Sequence, residues 1–524
     1  MTKYLINRIL RSLVSVVIVV GVVMLMIYSA LDRNLIFAQD AQYTKVKENA
    51  KEIYCLQQWE KYGYVDYIPY ADYMKELLRD GEIDQATYDE AVKLAKTYEA
   101  DSELTQQYSD RFREELEAEG YEVERLDGVT KVKSKKYKDG GEPRLYAVKD
   151  IPVVTRLGKY LGGLFTIDNI HYVEEEVEDR GLDFTWYDPA YGGEKFSPAI
   201  MGNGTMYKYL LYFDDQFPFI HQNLVTLNLG KSFSVARGID VSNTMTDKQG
   251  GFRTSLITYP SGVQEVTADA IHSLTYVEGS LETSALNQKY YVDDYTSVIT
   301  ARDGMSKMGY SFTIGIFSVI IAYTIAMPLG VLMALKKDKL IDKLGTFYIV
   351  FIMAVPSLGY IFIFRAIGTK LGLPTTFNID SPTTLMYILP IISLSLPSIA
   401  NQMKWLRRYM IDQMNSDYVK FARSGGLSEG EIFAKHILKN AAIPIVHGIP
   451  ASVLFSMTGA IITERVYLVP GIGNVLTTAI NAYDNGVIVG VTLFYAVISV
   501  TAVILGDVLM SMMDPRISFT AKAR

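Results

Sequence analysis

The stretch Asp417-Tyr418-Val419-Lys420-Phe421-Ala422-Arg423-Ser424-Gly425-Gly426-Leu427-Ser428-Glu429-Gly430-Glu431-Ile432-Phe433 lies between two runs that contain no Asp, Glu, Lys or Arg, residues 381–403 and 441–463. Each run has 23 residues. A helix rises ~1.5 Å per residue, so either run can cross a ~30 Å hydrocarbon core. The quoted stretch is then a polar connection between two membrane spans. Gly425-Gly426 allows a left-handed turn and close backbone approach. Ser428 and Glu431 match the S-x-x-E capping box that opens a second helix. The expectation is a short helix, a glycine break and a second helix, with Ile432, His436 and Lys439 on one face and Phe433 and Ile437 beside it. An apolar, glycine-jointed element suits docking on a partner. A plain amphipathic connector lying at the headgroups is the other reading.

Four more charge-free runs, residues 12–31, 308–335, 344–364 and 485–506, have 20, 28, 21 and 22 residues. Six such runs exclude a soluble globular protein. They also argue against a transmembrane β-barrel, whose strands alternate over ~10 residues. The single cysteine, Cys55, has no partner and excludes a disulfide scaffold. Residues 37–304 carry a net charge of −17, while the remainder carries +10. Lys and Arg concentrate before the first span, between the second and third, around the fourth-to-fifth connection and after the sixth. This asymmetry places both termini in the cytoplasm and the acidic insert outside. The expected fold class is an all-α polytopic membrane protein of six transmembrane helices, with a large α+β extracytoplasmic insert after the first helix. Its parts are an N-terminal transmembrane helix (1–36), the insert (37–304), a five-helix core (305–515) with its cytoplasmic loop at 405–442, and a tail (516–524). The first span has the basic flank of a signal peptide, but its apolar run is long and no clear cleavage site follows, so it reads as a retained anchor.

Within the insert, residues 40–120 read as helical. Asp84 is expected to cap a helix through about Tyr98, and Ser102 another through about Glu119. Alternation across Asp127-Gly128 predicts a β-hairpin over 121–138. The rest, 121–304, reads as mixed α+β, with breaks at Tyr187–Gly193 and Tyr259–Gly262. The cluster Lys131, Lys133, Lys135, Lys136 and Lys138 reads as a solvated strand edge, with anionic headgroups as the second reading. In or near the spans, Pro328, Pro356, Pro390, Pro397, Pro444 and Pro450 fit a bundle that lines a moving pathway, and also fit ordinary bundle packing. Leu229-Gly230-Lys231-Ser232 contains G-K-S, but Val225 stands where a phosphate-binding loop needs its first glycine. It reads as a loop. His447 is either a path-lining or a hydrogen-bonded packing histidine. Asp507, near the end of the sixth run, reads as a structural intramembrane acid. No catalytic, cofactor-binding or metal-ligand spacing is found.

The quoted stretch resembles the EAA loop of binding-protein-dependent ABC importer permeases, in the form used by the dipeptide/oligopeptide subfamily. Gly426 matches the loop's glycine. Lys420-Phe421-Ala422 stands where the name-giving triplet would be and keeps only its Ala. The subfamily form A-R-x-x-G-L-S, then H-x-x-x-N-A-x-x-P, is matched by Ala422 to Ser428 and by His436, Asn440, Ala441 and Pro444. Leu389-Pro390 through Ala400, Glu464 with Pro470-Gly471-Ile472-Gly473, and Asp507 with Asp514-Pro515-Arg516-Ile517 extend the likeness. The first span and Leu229–Ser232 are similar to the B-type (OppB-like) subunit of oligopeptide permeases. The departure is the long insert; larger inserts are found in the AmiC-type subunits of Gram-positive bacteria. The likeness covers about 1–37 and 226–524 and leaves 38–225 unexplained.

The resemblance implies the type I ABC importer fold and a permease subunit for oligopeptides in a Gram-positive cell membrane. Implied partners are a second homologous permease, two ABC ATPase subunits carrying ATP and Mg, an extracellular peptide-binding lipoprotein, the oligopeptide and the bilayer; no nucleic acid is expected. This chain would bind no cofactor and would not itself be an enzyme. Coupling to the ATPases falls on Lys420, Phe421, Ala422, Arg423, Gly425, Gly426, Leu427, Ser428, Glu431, Ile432 and Phe433. Pro397, His447, Glu464, Pro470, Gly471 and Gly473 are candidates for the translocation path or gate. Two other classes stay open at this point: a peptide sensor that signals more than it transports, and a membrane-anchored enzyme or adhesin.

Overall fold

The computed structural model describes residues 2–513 except 47, 127–143, 169–172, 174–180, 189–193, 195 and 214–219. The Asp127-Gly128 turn, the cluster Lys131–Lys138 and Asp514–Ile517 lie outside the described residues. Among the described residues, five helical segments are long and apolar enough to span a membrane, and a bent pair makes a sixth if it is counted as one span. The first and last, Thr2–Ala30 and Asn485–Met513, pack side by side. The first two long helices after the insert, Lys307–Leu335 and Ile388–Met414, form the centre of the core. Small residues Ala322 and Ala326 of one share a buried core with Ile399, Ala400 and Met403 of the other. Small side chains let helices approach where water supplies no hydrophobic drive.

The third span departs from the single helix expected over 344–364. It is two helices, Leu340–Ala354 and Ser357–Lys370, bent by 108°. Pro356 lacks an N–H and excludes the helical conformation from Val355, which is extended at ψ 129°. The fifth span also shifts. It runs through Glu429–Thr458 rather than 441–463. It ends at Gly459, whose φ is +80°. Ile461–Tyr467 is a separate short helix. The fourth helix continues to Met414, past the charge-free run that marked it.

Near the basic end of the bundle, Arg8 Nε lies 2.7 Å from Asp507 Oδ2, and His447 Nε2 lies 3.3 Å from Asp507 Oδ1. Charges at membrane depth are held this way, in pairs. Asp342 at the head of the bent pair is clamped by Arg407, at 2.5 and 2.8 Å.

In the insert, Asp84 and Ser102 cap their helices as expected, accepting from Thr87 N and Thr105 N. The first helix is shorter than expected and ends at Ala91. A strand, Val65–Pro69, interrupts the stretch read as helical. It pairs antiparallel with Leu145–Asp150, which also pairs with Glu122–Arg125. Glu122–Arg125 is therefore a strand, as the alternation implied, but its partner lies beyond residue 138. One face of this sheet buries Leu145 and Ala147 against Tyr70, Met74 and Phe112; helix Glu48–Lys61 lies over part of the other. The second half is mixed α+β. Leu182–Thr185, Ala199–Gly202, Tyr209–Phe213 and Ile220–Gln222 form a four-stranded antiparallel meander. A hairpin, Ser255–Thr258 with Gln264–Thr267, turns at Tyr259–Gly262, the expected break.

The insert shares an apolar core with the first and last spans through Leu164, Leu229, Val241 and Met245, and a buried carboxylate adds a polar joint. Asp484, fully buried just before the final span, accepts from Ser232 Oγ at 2.6 Å and from the backbone N–H groups of Phe233, Ser234 and Val235 at 3.0 Å each. Successive N–H groups that converge make an anion-binding nest. The G-K-S stretch leads into such a nest, and a side chain of the same protein occupies it. Beside it, Tyr64 hydrogen-bonds Asn485, and the Arg156 guanidinium lies 4.7 Å from the ring centres of Tyr28 and Tyr64. Asp484→Ala removes the acceptor of four donors, the Ser232 hydroxyl buried and the three N–H groups partly so, at a cost of roughly 3 kcal/mol. The expected outcome is a clearly lowered melting temperature in detergent, with protease cleavage appearing around residue 235. Asp484→Asn, which keeps one acceptor, is expected to fall between. An unchanged melting temperature in the Ala variant would remove Asp484 as the joint.

Candidate functional site

Helix Asp417–Ser424 starts with an acid in its first turn and ends with Arg423 in its last, both favourable to the helix dipole. Val419 and Ala422 are its buried side. They pack with Ala334, Leu406, Met410, Ile432 and Ile437, so the element shares one core with the helices Lys307–Leu335 and Ile388–Met414. The helix closes on a Schellman motif: Leu427 N donates to Ala422 O at 3.3 Å and Gly426 N to Arg423 O at 3.1 Å. Gly426 has φ +82°, the left-handed conformation the joint requires, and a Cβ added there would meet nothing within 4 Å. Gly425 is right-handed at φ −77°. The capping box follows directly, with Ser428 Oγ accepting from Glu431 N at 3.3 Å and Glu431 Oε2 from Ser428 N at 3.2 Å. Arg423 bridges the joint to Glu429 at 2.6 and 3.0 Å. This pair is exposed, so solvent screens it and it adds little to the joint.

Beyond Glu431 the backbone widens into a π-type helix, Ile432–Leu438. Tyr418 OH donates to His436 O at 3.1 Å and accepts from Asn440 Nδ2 at 3.0 Å, tying the first helix to the second. Such widened turns recur at functional positions. The widening also breaks the expected periodicity. Ile432 is 0% exposed and belongs to the element's own core, so it is not part of an outward docking face. Phe433 is half-buried against the same cluster. What the element presents outward is Phe421, 80% exposed, with Leu427 and Tyr418 beside it at 39% each. Lys420 is also on the surface, paired with Asp417 at 2.9 Å.

The residues named for a path separate into different settings. Glu464 is buried, accepting from Ser311 Oγ at 2.7 Å, Ala460 N at 2.9 Å and Gly473 N at 2.9 Å. Ser311 Oγ in turn accepts from Ile472 N at 2.9 Å. Gly471 lies against this carboxyl so closely that a methyl group there would overlap it. Glu464, Gly471 and Gly473 thus form one clasp that holds the second span to the turn beginning at Pro470. His447 belongs to the Arg8–Asp507 cluster instead. Pro397 lies inside the helix Ile388–Met414, next to Leu396, whose carbonyl accepts from Tyr348 OH at 2.8 Å. Sequence reasoning missed Asp484, Ser311 and Arg8. The signal for Asp484 was present: an acid directly before a long apolar helix, with G-K-S elsewhere in the chain.

Residues 326–519 match the family model described as the binding-protein-dependent transport system inner membrane component. Across its full length the chain is similar to the oligopeptide transport system permease protein AmiC of Streptococcus pneumoniae, 35% identical over 529 residues that cover 100% of this chain and 99% of that protein. It is 31% identical over 217 residues to the dipeptide transport system permease protein DppB of Lactococcus lactis subsp. cremoris, covering 40% of this chain and 69% of that one. DppB of Bacillus subtilis is 30% identical over 215 residues, 40% of this chain and 68% of that one. The first similarity runs through the insert.

The joint itself can be tested apart from any partner. Gly426→Ala forces a Cβ into the left-handed region at about 1 kcal/mol, while Gly426→Asn tolerates it better. Hydrogen exchange over 417–431 is expected to speed up in the Ala variant and return towards wild type in the Asn variant. Equal exchange in all three would mean the left-handed turn carries no strain.

Proposed function

The chain belongs to the oligopeptide-permease family of binding-protein-dependent transporters, and from that membership we propose how its parts work. It is a multi-pass membrane permease subunit of an ABC importer that takes up oligopeptides; ATP hydrolysis is the task of separate subunits. The full-length similarity, insert included, carries this assignment. In the proposed arrangement both termini and the 417–431 element face the cytoplasm of a Gram-positive cell, and the insert faces outward. The partners are a second, homologous permease, two ATPases with ATP and Mg, and a peptide-binding lipoprotein.

Phe421 is the proposed contact with an ATPase. Coupling needs a contact that differs between the two ATPase states, and it needs a lever that does not absorb the motion. The Schellman turn, the capping box and the Tyr418 bonds stiffen the hairpin. Val419 and Ala422 then pass displacement to Ala334 and Leu406, one on each central helix. Alternating access follows if those helices rock as the ATPases close on ATP. Peptide is handed over from the lipoprotein and released inside.

Burying a Phe side chain contributes about 1.5–3 kcal/mol, a tenfold to hundredfold effect on an equilibrium. Phe421→Asp is therefore expected to reduce co-purification of the ATPases at least tenfold and to abolish uptake of labelled peptide into proteoliposomes. Because Phe421 touches little of its own chain, the melting temperature should not change. Normal uptake by this variant would overturn the proposed contact.

A further inference from the structure

A cleft of about 610 Å³ opens in the insert between helix Glu48–Lys61 and the three-stranded sheet. Helix residues Glu52, Cys55, Leu56 and Trp59 share one face and form one wall. Register sets the other wall: Glu122 lies opposite Val148, Glu124 opposite Tyr146, and Val65 opposite Asp150, so these side chains share one sheet face. The helix covers the Val65 side and leaves the Glu122–Arg125 side open.

The two ends of the cleft differ in charge. At one end, buried Tyr146 places its hydroxyl 2.8 Å from Glu52 Oε1 and 2.7 Å from Glu124 Oε2. A phenol has one proton. It can donate to one carboxylate, and the other then faces a lone pair. Lys51, which also lines the cleft, lies 4.0 Å from the Tyr43 ring centre, and among the described residues no cation is paired with either carboxylate. At the other end lie Arg33, with Nη1 on Asp150 Oδ1 at 2.9 Å and its guanidinium stacked 4.0 Å from the Trp59 ring centre, and, at the rim, Lys149, whose Nζ donates to Glu119 O at 2.7 Å. From Tyr146 to Asp150 is four strand steps, ~13 Å. An extended peptide of roughly four residues has that length. The floor between holds the apolar Leu56, Trp59, Val65 and Val148, with Glu122 on the open edge opposite Val148.

We propose that this cleft binds a short peptide with free termini, its ammonium group between Glu52 and Glu124 and its carboxylate towards Arg33 and Lys149. The ammonium supplies the missing positive charge, and the volume lies within the range of small-ligand sites. The cleft would be a cargo site on the permease itself, additional to the binding protein. Its physiological meaning rests on the oligopeptide reading above, but its chemistry does not.

The test uses the full-length chain in lipid nanodiscs, without ATPases or binding protein, titrated with tetra-alanine and followed by tryptophan fluorescence. The expected result is saturable binding, weakened at least tenfold when the peptide is N-acetylated and at least fivefold when it is C-amidated. Glu124→Gln, an isosteric change on an exposed edge strand, should lower affinity about tenfold, and Arg33→Gln should remove the preference for a free carboxylate. The melting temperature reports folding in both. Undetectable binding, equal affinity for blocked and free peptides, or full affinity in Glu124→Gln would overturn the proposal. Since uptake of labelled peptide by the assembled importer is read separately, normal uptake with no binding rejects the cleft alone. Failed uptake rejects the transport reading alone.

Discussion

A backbone N–H that water cannot reach must find an acceptor inside the protein, and at two irregular turns of this chain the acceptor is a buried carboxylate. Glu464 gathers the N–H groups of Ala460 and Gly473 and the hydroxyl of Ser311. Asp484 gathers three successive N–H groups of the insert and the hydroxyl of Ser232. Each acid is held by converging N–H and O–H dipoles. Their number and convergence matter because a carboxylate without them would be too costly to bury.

The 417–431 element is built on a different principle. Its joint is stabilised by local hydrogen bonds that require no partner, and its apolar side is already filled by Val419, Ala422 and Ile432. An element that completes its own core can afford to leave one large aromatic in water. Phe421 is therefore not an unpacked residue of the fold but a surplus one. A lever needs that combination of stiffness inside and an open contact at the tip.

Much of this was legible beforehand because the signals are local. A capping box needs only Ser428 and Glu431, and a left-handed stop needs only Gly426. The insert helices starting at Asp84 and Ser102 follow the same logic. What escaped depends on the third dimension. Spacing grouped Ile432 with His436 and Lys439 and the resemblance named it for coupling, but its burial against Val419, Ala422 and Leu406 depends on helices that local spacing does not see. Pro356 was visible as a proline, but not as a bend of 108°, since neighbouring helices decide how far a chain turns once a hydrogen bond is lost. The partner of strand Glu122–Arg125 lay more than 15 residues beyond the expected turn, and alternation cannot reveal how long a loop is. Asp484 and its nest are about 250 residues apart, a separation at which no sequence window can connect them.

The two carboxylates also define a route. Gly473, whose N–H binds Glu464, begins the helix Gly473–Asn481, and Asp484 follows its end within three residues. One short rigid segment therefore separates the clasp on the second span from the joint to the insert. On the insert side, Tyr64 hydrogen-bonds Asn485 and is followed at once by Val65, the first residue of the strand that walls the cleft. Between the Ser311 end of the second span and the cleft run the Glu464 clasp, the helix Gly473–Asn481, Asp484 in its nest and the Asn485–Tyr64 hydrogen bond. A displacement of the second span that kept these bonds intact would carry the Gly473–Asn481 helix, and the cleft with it. A domain attached by a single mobile linker could not follow the bundle in this way. Here its position is set by the same hydrogen bonds that satisfy the membrane core.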